Sequence, residues 1–422
     1  MRTIRQGLAA ILLALPCVAQ APEAVHGRIE DLGNGLKLLR TWGTPAERGY
    51  AHGFLLGAEI ARTGIAEFTA RFGRGSGKAI LDLARRSLDR LIEYPDDIAT
   101  EIEAVYRGFV ASGAPAHMPE LDRDFDLLDL QIANALDVFG LMGCSGVTVW
   151  GDRVDGGGVL TGRNFDWPFT GEHLLDGTLL LVQHPTDGAA TASVTWPGYV
   201  ATVTGISSEG VAAFLHVGSA KITVTPEPES WPTAIAARAI LERLRADTAA
   251  DTSFASAAEL LSYTSPPAGF LTRVVLPRVP ASGPPVAVFE ADAKSCVRGG
   301  AIDTFSVVTN HFQGRQDGRG TSPDSEHRAE QLCDGVGECL RTGDEKVSVA
   351  ELWGLLTEVD RGGGRRFGTL HSLVFRHEPW CFELRIGTFE DGRLVAATEA
   401  PRRFALTREQ VFGSGRPGDA DK

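Results

Sequence analysis

Apolar residues recur at helical spacing through the first third of the chain. Ile80, Leu81, Leu83, Ala84, Leu88, Leu91 and Ile92 follow one such rhythm, and Ile98, Ile102, Val105, Tyr106 and Phe109 another. A third helix is predicted over 125–139, through Leu128, Ile132 and Leu136, with Gly140 and Gly143 ending it. At Cys144 the pattern changes. Short strand-like runs follow at 144–150, 159–164, 179–184, 192–196, 200–204 and 211–217, with Asp155-Gly156 as a hairpin signal between the first two. A helical block comes next. Pro232 fits a first helical position, Ile235, Ala239, Ile240 and Leu244 line one face, and 255–263 reads as a further helix. Strands return at 286–290, 305–310, 369–376, 381–386 and 394–398. Ser348 and Glu351 form a capping box that opens one more helix. Residues 314–325 and 361–368 read as exposed loops and the tail from Gly413 as disordered. Strands, helices and strands in that order predict an α+β fold with antiparallel sheets and helices packed outside them.

Composition changes this picture little. The chain has 422 residues, 43% of them apolar, and a formal net charge of −13. That charge argues against a nucleic-acid partner and against adhesion to anionic lipid. The N-terminus adds more. Arg2 and Arg5, the apolar run Leu8 to Leu15 and Ala19-Gln20-Ala21 read as a signal peptide over 1–21, so an exported, periplasmic or secreted protein is expected. The run is too short for a membrane span, which takes about 20 apolar residues. Cys144, Cys296, Cys333, Cys339 and Cys381 would remain after its removal. In an oxidising compartment an odd count predicts pairs plus one free thiol. Cys333 with Cys339 is the candidate pair by proximity, Cys296 with Cys381 follows by elimination, and Cys144 is left over.

The chemistry concentrates at Gly143-Cys144-Ser145-Gly146-Val147 and Gly162-Arg163-Asn164-Phe165-Asp166-Trp167. A small residue precedes a cysteine that opens a strand, and the next strand ends in an arginine and a carboxylate. A hairpin about Asp155-Gly156 brings Arg163 and Asp166 near Cys144. An ordinary thiol ionises near pH 8.5, and a neighbouring guanidinium favours the thiolate. If the bond before Cys144 is cut, the freed α-amine ionises at about 7.7 to 8 and can act as general base for its own side chain, oriented by Asp166. The same spacing also fits a buried cysteine beside a structural ion pair, and spacing alone leaves both readings open.

Together these motifs resemble the N-terminal-nucleophile hydrolases of the acyl-coenzyme A:isopenicillin-N acyltransferase (peptidase C45) family, and more distantly choloylglycine hydrolases, penicillin V acylases and acid ceramidases. Further blocks carry the resemblance in order. They are Gly43-Thr44-Pro45 with Glu47-Arg48-Gly49-Tyr50-Ala51-His52-Gly53; Trp196-Pro197-Gly198 to Thr204-Gly205-Ile206 with Gly210-Val211; Thr309-Asn310-His311-Phe312; Asp324-Ser325 with Arg328; and Thr369-Leu370-His371-Ser372-Leu373-Val374-Phe375.

The resemblance implies a four-layer αββα sandwich. It also implies self-cleavage between Gly143 and Cys144, with Cys144 as nucleophile, Arg163 and Asp166 flanking it, Asn310 donating to the oxyanion and Arg328 as a second arginine near the thiol. Residues 22–143 would form a helical N-terminal subunit and 144–422 the catalytic one. A small-molecule acyl amide is the implied substrate, cut through a thioester, with acyl transfer as a variant. A lipid amidase or phospholipase-B-like esterase, and a non-catalytic exported binding protein with Cys144 in a disulfide, are the alternatives. Two departures stand out: His216 occupies the position where relatives carry an oxyanion asparagine, and Ser145-Gly146 replaces the usual Thr-Ser, which opens the pocket floor. The Gly73 to Lys78 segment lacks the spacing of a phosphate loop. His184, His311, His371 and His377 show no zinc spacing, so neither metal nor cofactor is expected. The acidic run Asp122, Asp124, Asp126 and Asp129 reads as a solvated helix face.

Overall fold

Two sheets face each other in the computed structural model, which describes residues 23–135, 143–218, 229–299, 304–316, 320, 322–342 and 344–413. The expected signal peptide, the end of the third predicted helix with Gly140, and the tail beyond 413 lie outside the described residues. One sheet has six strands, in the order Phe305–Val308, Gly143–Trp150, Val159–Pro168, Phe367–Arg376, Cys381–Ile386 and Arg402–Ala405. The other has nine. Gly27–Asp31 and Lys37–Gly43 lie at one edge and Val286–Ala291 and Cys296–Arg298 at the other, with Leu179–Pro185, Thr191–Thr195, Thr204–Ser207, Ala212–Val217 and Phe270–Val275 between them. All pairings are antiparallel except Lys37–Gly43 with Leu179–Pro185.

Period-two alternation along the strands explains the layers. Leu180, Val182 and Phe214 of the nine-stranded sheet meet Leu373, Phe375 and Leu384 of the six-stranded one in a dry interface. Val147, Val149 and Leu160 face the other way, onto the helices Pro323–Arg341 and Val349–Glu358. Ala213 and Val274 pack on Thr233–Arg243 and Ala250–Leu261. The protein is therefore α+β with layers in the order αββα.

The segment before Cys144 is not wholly helical. Gly27–Asp31 and Lys37–Gly43 extend the nine-stranded sheet, so this segment is woven into the part of the chain after Cys144. Thr44 then caps the helix Pro45–Leu55, whose Glu47 completes the capping box. That helix lies almost on top of Asp96–Ala111 because Gly49, Gly53 and Gly108 present no side chains; a Cβ on any of them would strike the partner's backbone. Glu101, fully buried there, accepts from Arg48 at 2.8 Å and from Arg238 at 2.7 Å, which ties the N-terminal segment to the helix Thr233–Arg243.

Other expectations also need correcting. The acidic run is not one helix face: Asp122 and Asp124 are exposed ahead of the helix Leu127–Asn134, Asp126 caps it, and Asp129 is buried between Arg85 and Arg123. Residues 200–203 form a loop, and Thr204–Ser207 is the strand. No disulfide joins the described cysteines. Cys333 and Cys339 both sit on Pro323–Arg341, where six residues of helix separate them by about 9 Å, beyond the roughly 7 Å a disulfide spans. Cys296 and Cys381 lie on different sheets. No helix among the described residues is long and apolar enough to cross a membrane.

Candidate active site

Gly143 and Cys144 open a strand that pairs antiparallel with Val159–Pro168, in the register Gly143 with Asp166, Cys144 with Phe165 and Gly146 with Arg163. The predicted hairpin therefore forms. Gly156, Gly157 and Gly158 all take positive φ in its loop, a conformation that favours glycine. Cys144 is fully buried and faces the nine-stranded sheet. Arg163 Nη2 donates to its sulfur at 2.8 Å, and the sulfur lies 3.4 Å from the Leu215 carbonyl. The same guanidinium donates to Leu215 O at 2.7 Å and to Val203 O. Burial pushes the thiol up, while Arg163 and the backbone N–H of Asp166 pull the other way.

The nitrogen of Cys144 is held as firmly as its sulfur. It donates to Asn310 Oδ1 at 2.9 Å. Arg328 Nη2 donates to the same oxygen at 2.8 Å, and Arg328 Nη1 reaches the Cys144 carbonyl at 2.8 Å. Asn310 Nδ2 donates to Val217 O at 3.0 Å. Asn310 thus turns its carbonyl end to the Cys144 nitrogen, and its amide N–H, the expected oxyanion donor, is spent on backbone. The Ser325 hydroxyl accepts from the Asn310 N–H at 2.5 Å, which accounts for the Asp324-Ser325 block.

Asp166 is buried on the far side of its strand. Its Oδ1 accepts from the Thr369 hydroxyl at 2.7 Å, and Oδ2 lies 3.4 Å from Arg361 Nε. Burial raises its ionisation, against Arg328, Thr369, Arg361 and Arg163. His371 stacks on Phe165 at 4.7 Å and shares a 2.9 Å hydrogen bond with Thr204, so two of the motif blocks meet directly. His52 and Gly198 join two more, with the Gly198 N–H donating to His52 Nε2 at 2.9 Å.

His216 is fully buried, and among the described residues neither ring nitrogen has a hydrogen-bond partner. Burial, then Arg163, Arg273 and Arg328, keep it well below the ordinary imidazole range and hence neutral. It stands in the cationic side of the site without a fixed contact.

Beside these groups lies a partly open apolar cleft with a volume of about 100 Å³, lined by Phe68, Phe125, Ala133, Phe165, Trp196 and Val203 among others. Phe165 is the register partner of Cys144, and Val203 is bonded to Arg163.

No family model matches the chain. An uncharacterized protein of Archaeoglobus fulgidus is 31% identical over 211 residues, 44% of this chain and 34% of that protein, so the chain spans about a third of that relative. Among solved structures, the Caenorhabditis elegans ortholog of N-acylethanolamine-hydrolyzing acid amidase is similar at 13% identity and a TM-score of 0.39, over 63% of this chain and 100% of that one. A mutant of the conjugated bile acid hydrolase of Clostridium perfringens stands at 9% and 0.34, over 65% and 99%. Penicillin V acylase from Agrobacterium tumefaciens stands at 15% and 0.31, over 58% and 83%. At such scores these likenesses carry no weight for the chemistry, which rests on the chain's own residues.

Sequence reasoning missed Thr369 as the partner of Asp166, Arg361 beside it, and Arg273. Arg361 lies in a segment read as loop, with nothing to mark it. Arg273 did leave a signal: a lone arginine inside the apolar run Phe270–Val275.

Proposed function

We propose that this chain is a cysteine N-terminal-nucleophile hydrolase of acyl amides, exported and self-cleaving before Cys144. The observation that carries the reading is that sulfur, nitrogen and carbonyl of Cys144 are each gripped by a different side chain: Arg163, Asn310 and Arg328. A structural cysteine needs no such frame around its own backbone.

Self-cleavage would begin with attack of the sulfur on the Gly143 carbonyl. The C–N bond breaks as the C–S bond forms, the nitrogen takes up the thiol proton, and water then splits the thioester. The freed α-amine keeps Asn310 Oδ1 as its acceptor. In turnover that amine takes the thiol proton, the sulfur adds to the substrate carbonyl, and the proton passes to the leaving amine. A thioester remains, and water releases the acid. A second amine in place of water would make the enzyme an acyltransferase.

The cleft supports an apolar acyl group, since pockets of this kind favour apolar ligands fixed by a few polar groups. The two chains from one precursor would be the helix-rich segment up to Gly143 and the remainder from Cys144. The binding-protein alternative would tie Cys144 into a disulfide; its sulfur instead lies against Arg163 and the Leu215 carbonyl, which supports the hydrolase reading.

The test is amine release from N-acyl amides by purified protein under reducing conditions, with intact mass measured in parallel. Two chains, turnover, and loss of both in Cys144→Ala are expected. Turnover by an uncut chain would defeat the α-amine mechanism; an uncut and inert chain would defeat the reading altogether.

A further inference from the structure

The opening expected at Gly146 is filled from the opposite sheet. An ideal Cβ on Gly146 would lie 2.5 Å from Nη2 of Arg273 and 2.7 Å from its Cζ and Nη1. Arg273 is fully buried on the strand Phe270–Val275. It donates to the Gly162 carbonyl at 2.9 Å and to the Thr148 hydroxyl at 3.4 Å, and its Nε has no partner among the described residues. Its guanidinium carbon stands 4.7 Å from the centre of the Phe214 ring, which also carries Arg163 at 6.0 Å.

Neither arginine forms an ion pair with a carboxylate among the described residues. A buried guanidinium left without an anion is costly. The charged and titratable groups around the sulfur are Arg163 and Asp166 from its own sheet, His216 and Arg273 from the facing sheet, and Arg328 from the helix. Asp166 is engaged by Thr369 and Arg361, and His216 is neutral. Cys144 and Gly146 are two residues apart, so they share one face of the strand about 7 Å from each other. The sulfur is the group on that face able to carry the missing negative charge. Arg273's own ionisation is pushed down to about 9 by burial and by Arg163, and Cys144 opposes that drop.

We propose that Arg273 is a positioning residue for the nucleophile: seated in the space that Gly146 leaves, it favours, from behind Arg163, the thiolate that Cys144 forms as its proton leaves. The inference rests on Cys144 being the nucleophile. Gly146 and Arg273 act as a linked pair, because any side chain at 146 evicts the guanidinium.

The experiment titrates the ultraviolet thiolate absorbance of the reduced protein, taken as a difference against Cys144→Ala in the same background. Arg273→Met and Arg273→Gln should move the thiolate titration up by about one pH unit, since a nearby charge is worth at least that much in a buried site. Their kcat should fall in step with little change in KM, and Arg273→Lys should restore most of both. A folded Arg273→Gln protein with the wild-type titration overturns the inference. If neither neutral variant folds, Gly146→Ser decides: its titration should move the same way, and an unmoved one overturns the inference. The two readings fail separately. Wild type that keeps full turnover after Cys144 is alkylated would refute the nucleophile, whereas the titration addresses Arg273 alone.

Discussion

A Cβ placed on Gly143 would lie 3.2 Å from Oδ2 of Asp166, so this carboxylate stands beside the peptide bond that joins Gly143 to Cys144. The same Cβ would lie 2.8 Å from the tip of the Phe367 ring. Glycine is needed here for room, and on the proposed function Asp166 would act on that bond as well as on the amine that cleavage frees. Asp166→Asn should therefore slow self-cleavage by at least tenfold while leaving the Cys144–Arg163 contact in place, read by mass spectrometry of the precursor over time. Gly143→Ala should slow it too, through the clash. Rapid cleavage in both variants would separate Asp166 from processing.

His216 tests the oxyanion side. It sits among Arg163, Arg273 and Arg328 with no hydrogen-bond partner among the described residues. An unpaired buried imidazole costs stability without improving packing. On the proposed function those two nitrogens are the ones that would meet the substrate. His216→Asn should stay processed and partly active. His216→Ala should cut turnover roughly a hundredfold, the usual size of a lost oxyanion donor, with little change in Tm. A large fall in Tm with normal specific activity would return His216 to the core.

What the sequence made legible were features with local causes. The Cys144 strand, its hairpin partner and the Ser348 capping box each follow from signals within a few residues. Lys37–Gly43 did not, because its parallel partner Leu179–Pro185 is far along the chain and nothing in seven residues encodes that pairing. The helix Pro323–Arg341 was hidden by Gly335 and Gly337 within it and by a sparse apolar face. At the site, the motif residues came together as expected. The roles inside the cluster were less legible: which end of Asn310 faces Cys144 depends on the Val217 carbonyl, and Arg273 reaches Gly146 only because two sheets stack.

Acid should weaken the join between the N-terminal segment and the rest in two stages. His52 is buried, and burial holds its ionisation down to about 4 from 6.5. The unfolded chain thus takes up the proton first, so this contribution is complete above 6.5 and is lost as pH falls toward 4. It amounts to about 3 kcal/mol. Protonation would also break the acceptor bond from Gly198. Glu101 follows. Burial raises its ionisation, but Arg238 and Arg48 outweigh this and hold it at about 2 against 4.5. Its contribution is present above 4.5 and lost as pH falls toward 2. Melting temperature against pH should drop first between 6.5 and 4, and His52→Gln should make that step smaller without removing it, because burial also holds His216 and His371 low. Glu101→Gln should cost about 3–5 kcal/mol at neutral pH, because buried Arg48 loses its anion and buried Arg238 is left with Glu242 alone.

The apolar cleft sets the last expectation, on acyl chain length. Each methylene moved from water into such a site is worth about 0.8 kcal/mol, close to fourfold in kcat/KM if the transition state holds it equally well. Activity on a series of N-acyl amides should rise with chain length until the cleft is full. Ala133 lines the cleft from the helix Leu127–Asn134, so a larger side chain there takes the space of several methylenes. Ala133→Phe should leave short acyl amides nearly unaffected and cut long ones by about tenfold or more, moving the optimum to shorter chains. The Cys144 contacts lie on other strands, so self-cleavage should proceed at the wild-type rate in the same protein. An unchanged chain-length profile in a processed Ala133→Phe enzyme would place the acyl group elsewhere.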